Sequence, residues 1–322
     1  MIIITFLGTV SGVPTKNRNH PAIALEYFSK KRDLILWDCG EGTQKRLMDA
    51  GISFMDIKQI YITHWHADHF SGLLPLIATM NLENRRKSLE IFGPEAAKFV
   101  KLLLSLGYYR PRFEIRYFDV DFKANEVSKI FETRDYEIFS IPVKHTVPTV
   151  AYALKEKDRW RIDLKKLKAH GLKRGRWLKV LKEKGIAKFR GNTVKIEEVG
   201  YLQKGIKIVY SGDTKPCKNM ITLAKDADVL IHDATFLEED ERKYHTDVKQ
   251  AARIAKKADA KVLILTHLSR KYQDASELEK EARKVFEKSF VAYDLMKIRV
   301  DKEGVKLLEK NNVKTLVNFG KC

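Results

Sequence analysis

The stretch IYITHWHADHF, residues 60–70, joins a short apolar run to four potential metal ligands within six positions. Those ligands are His64, His66, Asp68 and His69. Because alternate residues of an extended segment point the same way, the first two histidines can hold one ion while the last two ligands turn toward a second. Imidazole nitrogen and carboxylate oxygen suit Zn²⁺, with Mn²⁺ or Fe as alternatives. The stretch therefore predicts a strand that ends in a metal-binding loop.

Two ions need more ligands than one loop supplies, and three later residues qualify. Each follows an apolar run, as expected of a side chain at the end of a strand: His145, Asp213 and His267. Taken singly, each could equally be structural, but as an ordered set after the first stretch they predict a site for two Zn²⁺ ions. Two ions about 3.5–4 Å apart activate a water molecule and clamp both oxygens of a phosphodiester displacement.

Short runs rich in β-branched residues alternate with helical spacing along the chain. We predict strands at residues 34–37, 60–63, 89–92, 206–210, 229–232 and 262–266. We predict helices at residues 72–85, 94–106, 247–258 and 276–288. This alternation indicates a layered α/β fold with functional side chains in the loops at strand ends. Without a visible repeat or low-complexity linker, residues 1–322 are expected to form one domain with an insertion.

The composition is that of a globular protein, with 44% hydrophobic residues in a chain of 322. Three cysteines, at positions 39, 217 and 322, fit neither a disulfide framework nor a CxxC metal site. No apolar run approaches the ~20 residues of a membrane span, and the N-terminus lacks the pattern of a signal peptide. We therefore expect a cytoplasmic protein with no membrane partner.

Positive charge is concentrated in one segment. The chain has 61 basic and 42 acidic residues, a net charge of +19, and residues 155–190 alone carry 15 basic and four acidic ones. Trp160, Trp177 and Phe189 are interleaved with these charges, and several glycines break any long helix. This pattern predicts an inserted arm, residues 155–200, with one or two short helices and a role in binding nucleic acid. The alternative is a solvated amphipathic helical hairpin.

The ordered set of ligands resembles that of the metallo-β-lactamase superfamily. The resemblance implies a four-layer αββα sandwich with a dinuclear zinc site between the sheets. It implies that one ion is held by His64, His66 and His145. It implies that the other is held by Asp68, His69 and His267, with Asp213 as the bridge. Asp38 would orient a ligand histidine, or else cap the turn at Gly40.

Further motifs resemble those of ribonuclease Z, the tRNA 3′-processing endonuclease. They are LGT (7–9), PTKNRN (14–19), DCGEGTQ (38–44), HTVP (145–148), YSGDT (210–214) and HLSRKY (267–272). The resemblance implies a zinc-dependent endoribonuclease that removes the 3′ trailer from precursor tRNA. The products would be a 3′ hydroxyl on the tRNA and a 5′ phosphate on the trailer. Family members are commonly homodimers, so a homodimer is expected.

The same resemblance assigns roles to individual residues. Asp68 would orient or deprotonate the attacking water. His245 would protonate the leaving 3′ oxygen, because a ribose alkoxide is a poor leaving group. Asp233, in the motif HDATF (232–236), would tune His245, although the family usually has Glu there. Alternatively, His245 is simply a residue that precedes a helix.

Basic residues would bind the RNA at two places. Lys16 and Arg18 could meet phosphates near the cleavage site, unless their loop is a plain surface turn. In the arm, the segment GLKRGRW (171–177) stands where related exosites have a Gly-Pro-rich turn, and its prolines are absent. Lys173, Arg174 and Arg176 are the phosphate-binding candidates there.

Three other functions compete with this one. The first is a different dinuclear phosphodiesterase or hydrolase of the same fold, acting on another RNA or a small molecule. The second is an RNA-binding scaffold without catalysis, which the complete ligand set argues against. The third is an mRNA 3′-end-processing nuclease with a cap domain. This third type needs a long insertion between the motifs that contain Asp213 and His267, but only 54 positions separate these two residues.

Overall fold

Two β-sheets lie face to face between layers of helices in the computed structural model, which describes residues 1–106, 110–238, 244–309 and 312–320. The strands of the first half are β1 (Ile2–Gly8), β2 (Ala22–Phe28), β3 (Arg32–Trp37), β4 (Ile57–Tyr61), β5 (Leu89–Gly93), β6 (Ile115–Asp119), β7 (Ser128–Glu132), β8 (Tyr136–Pro142), β9 (Val150–Glu156) and β10 (Arg159–Ile162). Those of the second half are β11 (Ile186–Phe189), β12 (Asn192–Lys195), β13 (Gly200–Gln203), β14 (Lys207–Tyr210), β15 (Val229–Asp233), β16 (Leu263–Thr266), β17 (Ser289–Val291), β18 (Lys297–Val300), β19 (Gly304–Glu309) and β20 (Asn312–Asn318).

Helices connect these strands and cover both sheets. They are α1 (Thr43–Asp49), α2 (Ala67–Phe70), α3 (Leu73–Leu82), α4 (Ala96–Ser105), α5 (Leu164–Ala169), α6 (Trp177–Lys184), α7 (Ile196–Val199), α8 (Lys218–Ala224), α9 (Val248–Lys257) and α10 (Ser276–Arg283). A short 3₁₀ helix spans Phe54–Asp56. Among the described residues, no helix combines the length and the apolar character that crossing a membrane requires.

The two sheets differ in size and share a mixed topology. The first has nine strands in the order β20-β19-β18-β1-β2-β3-β4-β5-β6, and the second has seven in the order β17-β16-β15-β14-β9-β8-β7. Strands β3 to β6 pair in parallel, as do β14 to β17. Parallel neighbours place their carboxyl ends at the same edge of a sheet, which is where ligands bind in such folds.

Alternating side chains of the same strand build different layers of the core. On β3, Ile35 and Trp37 pack between the two sheets, whereas Leu34 and Leu36 pack under α1, α3 and α4. Helices α8, α9 and α10 cover the outer face of the second sheet in the same way. This period-2 burial follows from strand geometry. The result is the expected four-layer αββα sandwich, so the predicted fold class is confirmed.

The predicted strands and helices occur at shifted boundaries. The strand expected at residues 60–63 runs from Ile57 to Tyr61, because the chain leaves the sheet before the metal-binding loop begins. The helix expected to end at residue 85 ends at Leu82. Asn84 adopts a left-handed conformation with φ of 57°, which the right-handed helix cannot continue through. Helix α10 likewise ends at Arg283, five residues before the predicted position.

The arm is a small α/β unit, which corrects the expectation of one or two short helices. It contains three helices, α5 to α7, and two antiparallel strand pairs, β10 with β13 and β11 with β12. It buries a core of its own, formed by Leu167, Leu181, Ala187, Val194, Ile196 and Val199. Asp163 caps α5 by accepting hydrogen bonds from two backbone N–H groups. At the end of α6, Gly185 takes a positive φ of 74°, a conformation that glycine adopts without strain.

Candidate metal centre

Loops that follow four strands of the two sheets bring the predicted ligands to one edge of the sandwich. After β4, the loop carries His64 and His66 and the short helix α2 carries Asp68 and His69, while the loop after β8 carries His145. Asp213 lies three residues after β14, and His267 directly follows β16. All seven predicted metal ligands fall within groups whose potential ligand atoms lie within 4.8 Å of one another. His69 and His267, which are 198 positions apart in sequence, therefore share one site because the strand ends lie at the same edge.

The first group surrounds one side of the Asp213 carboxylate. His66 Nδ1 lies 3.0 Å from His64 Nε2 and 3.2 Å from His145 Nε2. Asp213 Oδ2 lies 3.7 Å from His64 Nε2 and 3.8 Å from His145 Nε2. Four donor atoms therefore converge from three separate loops.

The second group surrounds the other oxygen of the same carboxylate. Asp213 Oδ1 lies 3.3 Å from both His69 Nε2 and His267 Nε2, which are themselves 3.3 Å apart. Asp68 Oδ2 lies 3.7 Å from His69 Nε2 and 3.5 Å from His267 Nε2. One carboxylate thus faces both groups, one oxygen to each, which is the geometry of a bridging ligand.

The donor set fits a pair of divalent metal ions. A tetrahedral zinc site with bonds of about 2.0–2.2 Å separates its ligand atoms by roughly 3.3 Å, close to the spacings found here. Asp213 Oδ1 is buried and has no hydrogen-bond partner among the described residues. A buried carboxylate oxygen without a partner is costly unless a cation compensates it. The observation favours an ion between Asp213 and the two histidines.

The ring nitrogen opposite each donor atom has a second partner in all five histidines, and in His66 this is Thr146 Oγ1, which lies 3.4 Å from Nε2. His64 Nδ1 is 3.0 Å from Thr63 Oγ1, and His69 Nδ1 is 2.8 Å from Asp38 Oδ2. His145 Nδ1 is 3.0 Å from the carbonyl oxygen of Tyr244, and His267 Nδ1 is 3.0 Å from Thr235 Oγ1. Such contacts fix the tautomer and orientation of metal-binding histidines.

Asp38 connects several of these partners. Its carboxylate accepts hydrogen bonds from the Thr63 amide at 2.8 Å, the Tyr210 hydroxyl at 2.8 Å and His69 Nδ1. Asp38 is fully buried, and its backbone adopts a φ of 55° that is uncommon outside glycine. The carboxylate therefore holds a predicted ligand histidine, and within the described part of the chain its hydrogen bonds go to these partners rather than to the turn at Gly40.

His245 and Asp233 form a pair beside the second group. His245 Nδ1 is 2.9 Å from Asp233 Oδ2, while Asp233 Oδ1 accepts from the Thr235 hydroxyl at 2.7 Å. The His245 side chain is 21% exposed and lines a cavity of about 510 Å³ that also touches His66, Asp68, His145, Asp213 and His267. The pair therefore borders the same space as the metal ligands.

Charges in this pocket shift the titration of both histidines and carboxylates. Burial lowers the pKa of His64 well below its ordinary value. Burial opposes the charge on His245 as well, but the Asp233 carboxylate outweighs it and raises the pKa of this imidazole. Burial likewise disfavours charge on Asp233, yet the neighbouring His245 and His267 lower the pKa of its carboxyl. The short Asp233 side chain thus reaches His245 directly.

The N-terminal loop reaches the metal centre through its backbone. The Gly12 N–H donates to Asp68 Oδ2 at 2.9 Å, and Gly12 has a positive φ of 63°. Lys16 is exposed, whereas Arg18 is half-buried and its Nη1 donates to Thr9 Oγ1 at 2.6 Å and to a backbone carbonyl at 2.9 Å. Arg18 therefore stabilises the loop through contacts within the protein, whereas the sequence analysis expected it to contact phosphates.

The three basic residues chosen in the arm are exposed and lie outside the metal centre. Lys173, Arg174 and Arg176 stand on the loop between α5 and α6. The indole N–H of Trp177 donates to the Lys173 carbonyl at 3.0 Å and so holds this loop against α6. Sequence reasoning missed four partners of the predicted ligand histidines, namely Thr63, Thr146, Thr235 and the Tyr244 carbonyl, and it also missed Tyr210, which donates to Asp38. The sequence offered one signal for such partners, a hydroxyl residue directly beside a predicted ligand, as Thr63 is beside His64.

Comparison with known proteins relates both halves of the chain to described families. A family model described as Anti-Pycsar protein Apyc1 matches residues 2–161, and one described as Beta-lactamase superfamily domain matches residues 179–268. Ribonuclease Z of Pyrococcus abyssi is 41% identical over 305 residues, which cover 93% of this chain and 96% of that protein. Ribonuclease Z of Thermococcus sibiricus is 39% identical over 325 residues, which cover 98% and 100%.

Solved structures agree with these relatives. Human tRNase Z, short form, superposes with a TM-score of 0.65 at 25% identity, over 93% of this chain and 99% of that one. The metallo-β-lactamase fold protein YhfI from Bacillus subtilis has the same TM-score at 19% identity, over 92% and 98%. The likeness to YhfI shows the fold alone.

Fold and site together define a metallohydrolase of the metallo-β-lactamase fold. Within that class the near-full-length identity to curated relatives is decisive, and the chain belongs to the ribonuclease Z family. The resemblance inferred from the sequence motifs is confirmed.

Proposed function

We propose that the chain is a dinuclear zinc endoribonuclease that removes the 3′ trailer from precursor tRNA in the cytoplasm. The products are a 3′ hydroxyl on the tRNA and a 5′ phosphate on the trailer. The observation that carries the proposal is the Asp213 carboxylate, which faces two ligand groups at the floor of a cavity that His245 also lines. Relatives of near-full length bear the name ribonuclease Z, which supports RNA as the substrate.

The two ligand groups would hold the two ions. The first comprises His64, His66 and His145, and the second comprises Asp68, His69 and His267, with Asp213 shared. When bound, the ions lower the pKa of a water molecule and stabilise the charge that develops on the scissile phosphate. Imidazole and carboxylate donors favour Zn²⁺, and Mn²⁺ or Fe would also be accepted by this set.

Asp68 and His245 would carry the proton transfers. Gly12 holds Asp68 Oδ2 at 2.9 Å, so this carboxylate is oriented toward the cavity to align or deprotonate the attacking water. Asp233 holds His245 through Nδ1, which leaves Nε2 to donate a proton to the leaving 3′ oxygen. A positioned acid of this kind contributes about 10²–10⁴-fold to a rate.

The arm would bind the folded RNA away from the cut. Strand β9 begins at Val150, whose N–H donates to the Thr63 carbonyl next to the ligand loop, and it ends at Glu156. Five residue steps of strand separate Val150 from residue 155, where the arm begins, and they span about 17 Å. Residues 155–200 are thus proposed as an exosite inserted in a single domain of residues 1–322. Its exposed Lys and Arg side chains would contact phosphates with little reading of sequence.

The resemblance to ribonuclease Z is the basis for proposing a homodimer in which the arm of one subunit serves the site of the other. Near the cut, Lys16 would contact phosphates directly. Arg18 would hold the shape of the loop through its contacts with Thr9 and the Ala292 carbonyl.

Cleavage of a precursor tRNA with a 3′ trailer, followed by mapping of both product ends, tests this function. We expect one cut beside the last nucleotide of the mature tRNA, abolished by a chelator and restored by Zn²⁺. A small phosphodiester such as bis(p-nitrophenyl) phosphate serves as the comparison substrate. If the small compound is hydrolysed while precursor tRNA stays intact, the site would be that of another phosphodiesterase of this fold.

A further inference from the structure

An aromatic ring stands at the mouth of the catalytic cavity without belonging to the metal centre. Tyr244 is 46% exposed and lines the cavity next to His245. Its backbone carbonyl holds His145 Nδ1 at 3.0 Å, so the backbone is fixed to the metal centre while the side chain keeps almost half of its surface exposed. Phe236 lines the same cavity but is only 7% exposed, so it offers a ligand much less surface than Tyr244 does.

A lysine lies against this ring. Lys215 Nζ is 4.4 Å from the centre of the Tyr244 ring, within the range of a cation–π contact. Lys215 sits two residues after Asp213, on the loop that carries the proposed bridging ligand. An exposed aromatic ring with a cation beside it is the arrangement that single-stranded nucleic acids bind, the ring taking a base and the cation a phosphate.

We propose that the Tyr244 ring is a stacking platform for the base of the last nucleotide that remains on the tRNA. This inference rests on the proposed function and extends it by naming a base-binding subsite. His245, the next residue, is assigned the leaving 3′ oxygen, which belongs to that nucleotide. Its sugar therefore lies beside His245, and its base lies within reach of the neighbouring ring.

Stacking also suits a subsite that must accept any of the four bases. Every base has a π-face, so a stacking platform accepts all four bases without hydrogen-bond selection. The ring of Tyr has few rotatable bonds, so it offers a large contact surface at a small cost in entropy. The platform would order the nucleotide whose oxygen must meet His245, and it would do so for RNAs of any sequence.

Replacing the ring tests the platform. We expect Tyr244→Leu to lower kcat/KM for precursor tRNA about tenfold, the effect typical of losing one base–aromatic contact. Tyr244→Phe keeps the ring and should stay within about twofold of the wild type on that reasoning. Tyr293→Leu is the matched control, because Tyr293 is also 46% exposed and does not line the cavity.

Abasic substrates separate stacking from a structural effect on His145 or His245. With an abasic site at the last retained nucleotide, wild type and Tyr244→Leu should cleave equally well. With the abasic site at the first trailer nucleotide, the tenfold difference should persist. The assignment is overturned if Tyr244→Leu still cleaves more slowly than the wild type when the last retained nucleotide is abasic. It is also overturned if the difference disappears when the first trailer nucleotide is abasic. Failure of the wild type to cut any precursor would instead overturn the proposed function itself.

Discussion

The metal centre and the arm represent two ways of using charged residues. In the metal centre, His64 and His69 are fully buried, and each ring is held by a second side chain. In the arm, Lys173, Arg174 and Arg176 are exposed on a loop above a core of six buried residues. In the proposed function, the first arrangement fixes atoms for chemistry and the second presents positive charge that binds the RNA. Mutations in the two regions should therefore separate rate from affinity.

The largest effect is expected from His66→Ala. The substitution removes one ligand of the first group, so cleavage should fall at least about a thousandfold, because the ions supply several kcal/mol of stabilisation in the transition state. Binding of precursor tRNA should stay within a few-fold of the wild type. Single-turnover cleavage, binding and metal content are measured on the same sample. Cleavage at the wild-type rate would refute the ligand assignment.

His245→Ala should have the next largest effect. Loss of the general acid slows the chemical step by about 10²–10⁴-fold, as measured at saturating enzyme. Metal content should be unchanged, since His245 is not assigned as a ligand, and this distinguishes the variant from His66→Ala. An unaltered single-turnover rate would remove His245 from the mechanism.

Neutralising the arm should weaken binding without slowing chemistry. Changing Lys173, Arg174 and Arg176 to Gln should flatten the plot of log K against log salt by about 2 units of slope, because each lost phosphate contact removes close to one. The matched control changes the same number of positive charges on the exposed face of α9, at Arg253, Lys256 and Lys257. Equal slopes for the two triple variants would exclude this loop as the phosphate-binding surface.

Of these variants, Leu181→Ala should disturb the two β-sheets least, because it destabilises the arm. Leu181 is fully buried in the arm's own core, and truncating a buried leucine costs about 2–5 kcal/mol. Because that core is separate from the cores of the two sheets, hydrogen exchange should rise in residues 159–203 alone. Faster exchange in β14 to β16 as well would show that the arm and the sandwich unfold together.

Sequence reasoning reached the layers of the fold, and it selected seven candidate ligands that the structure brings together, because both follow short-range patterns. Strands such as β3 show period-2 burial, and each ligand directly follows or closely trails an apolar run. Local patterns could not give the partners of the ligands. The Tyr210 hydroxyl meets Asp38 across 172 positions, and the Tyr244 carbonyl meets His145 across 99. Such contacts depend on which strand ends become neighbours.

The secondary structure of the arm is the feature that the sequence predicted least well. Its charge and glycines indicated an exposed insertion, but its strand pairs depend on residues far apart, such as Arg159 with Gln203. The inward contacts of Arg18 also lay beyond the reach of a local pattern. A positive charge in a loop motif suggests phosphate contact, whereas here Thr9 and the Ala292 carbonyl draw the guanidinium inward.

Metal titration tests the central claim most directly. The apo protein is titrated with Zn²⁺ while bound metal and single-turnover cleavage of a precursor tRNA are followed together. Because Asp213 faces both ligand groups, we predict two ions per chain, with full cleavage reached only when the second ion binds. Full activity with a single ion, or two bound ions without cleavage, would contradict the account.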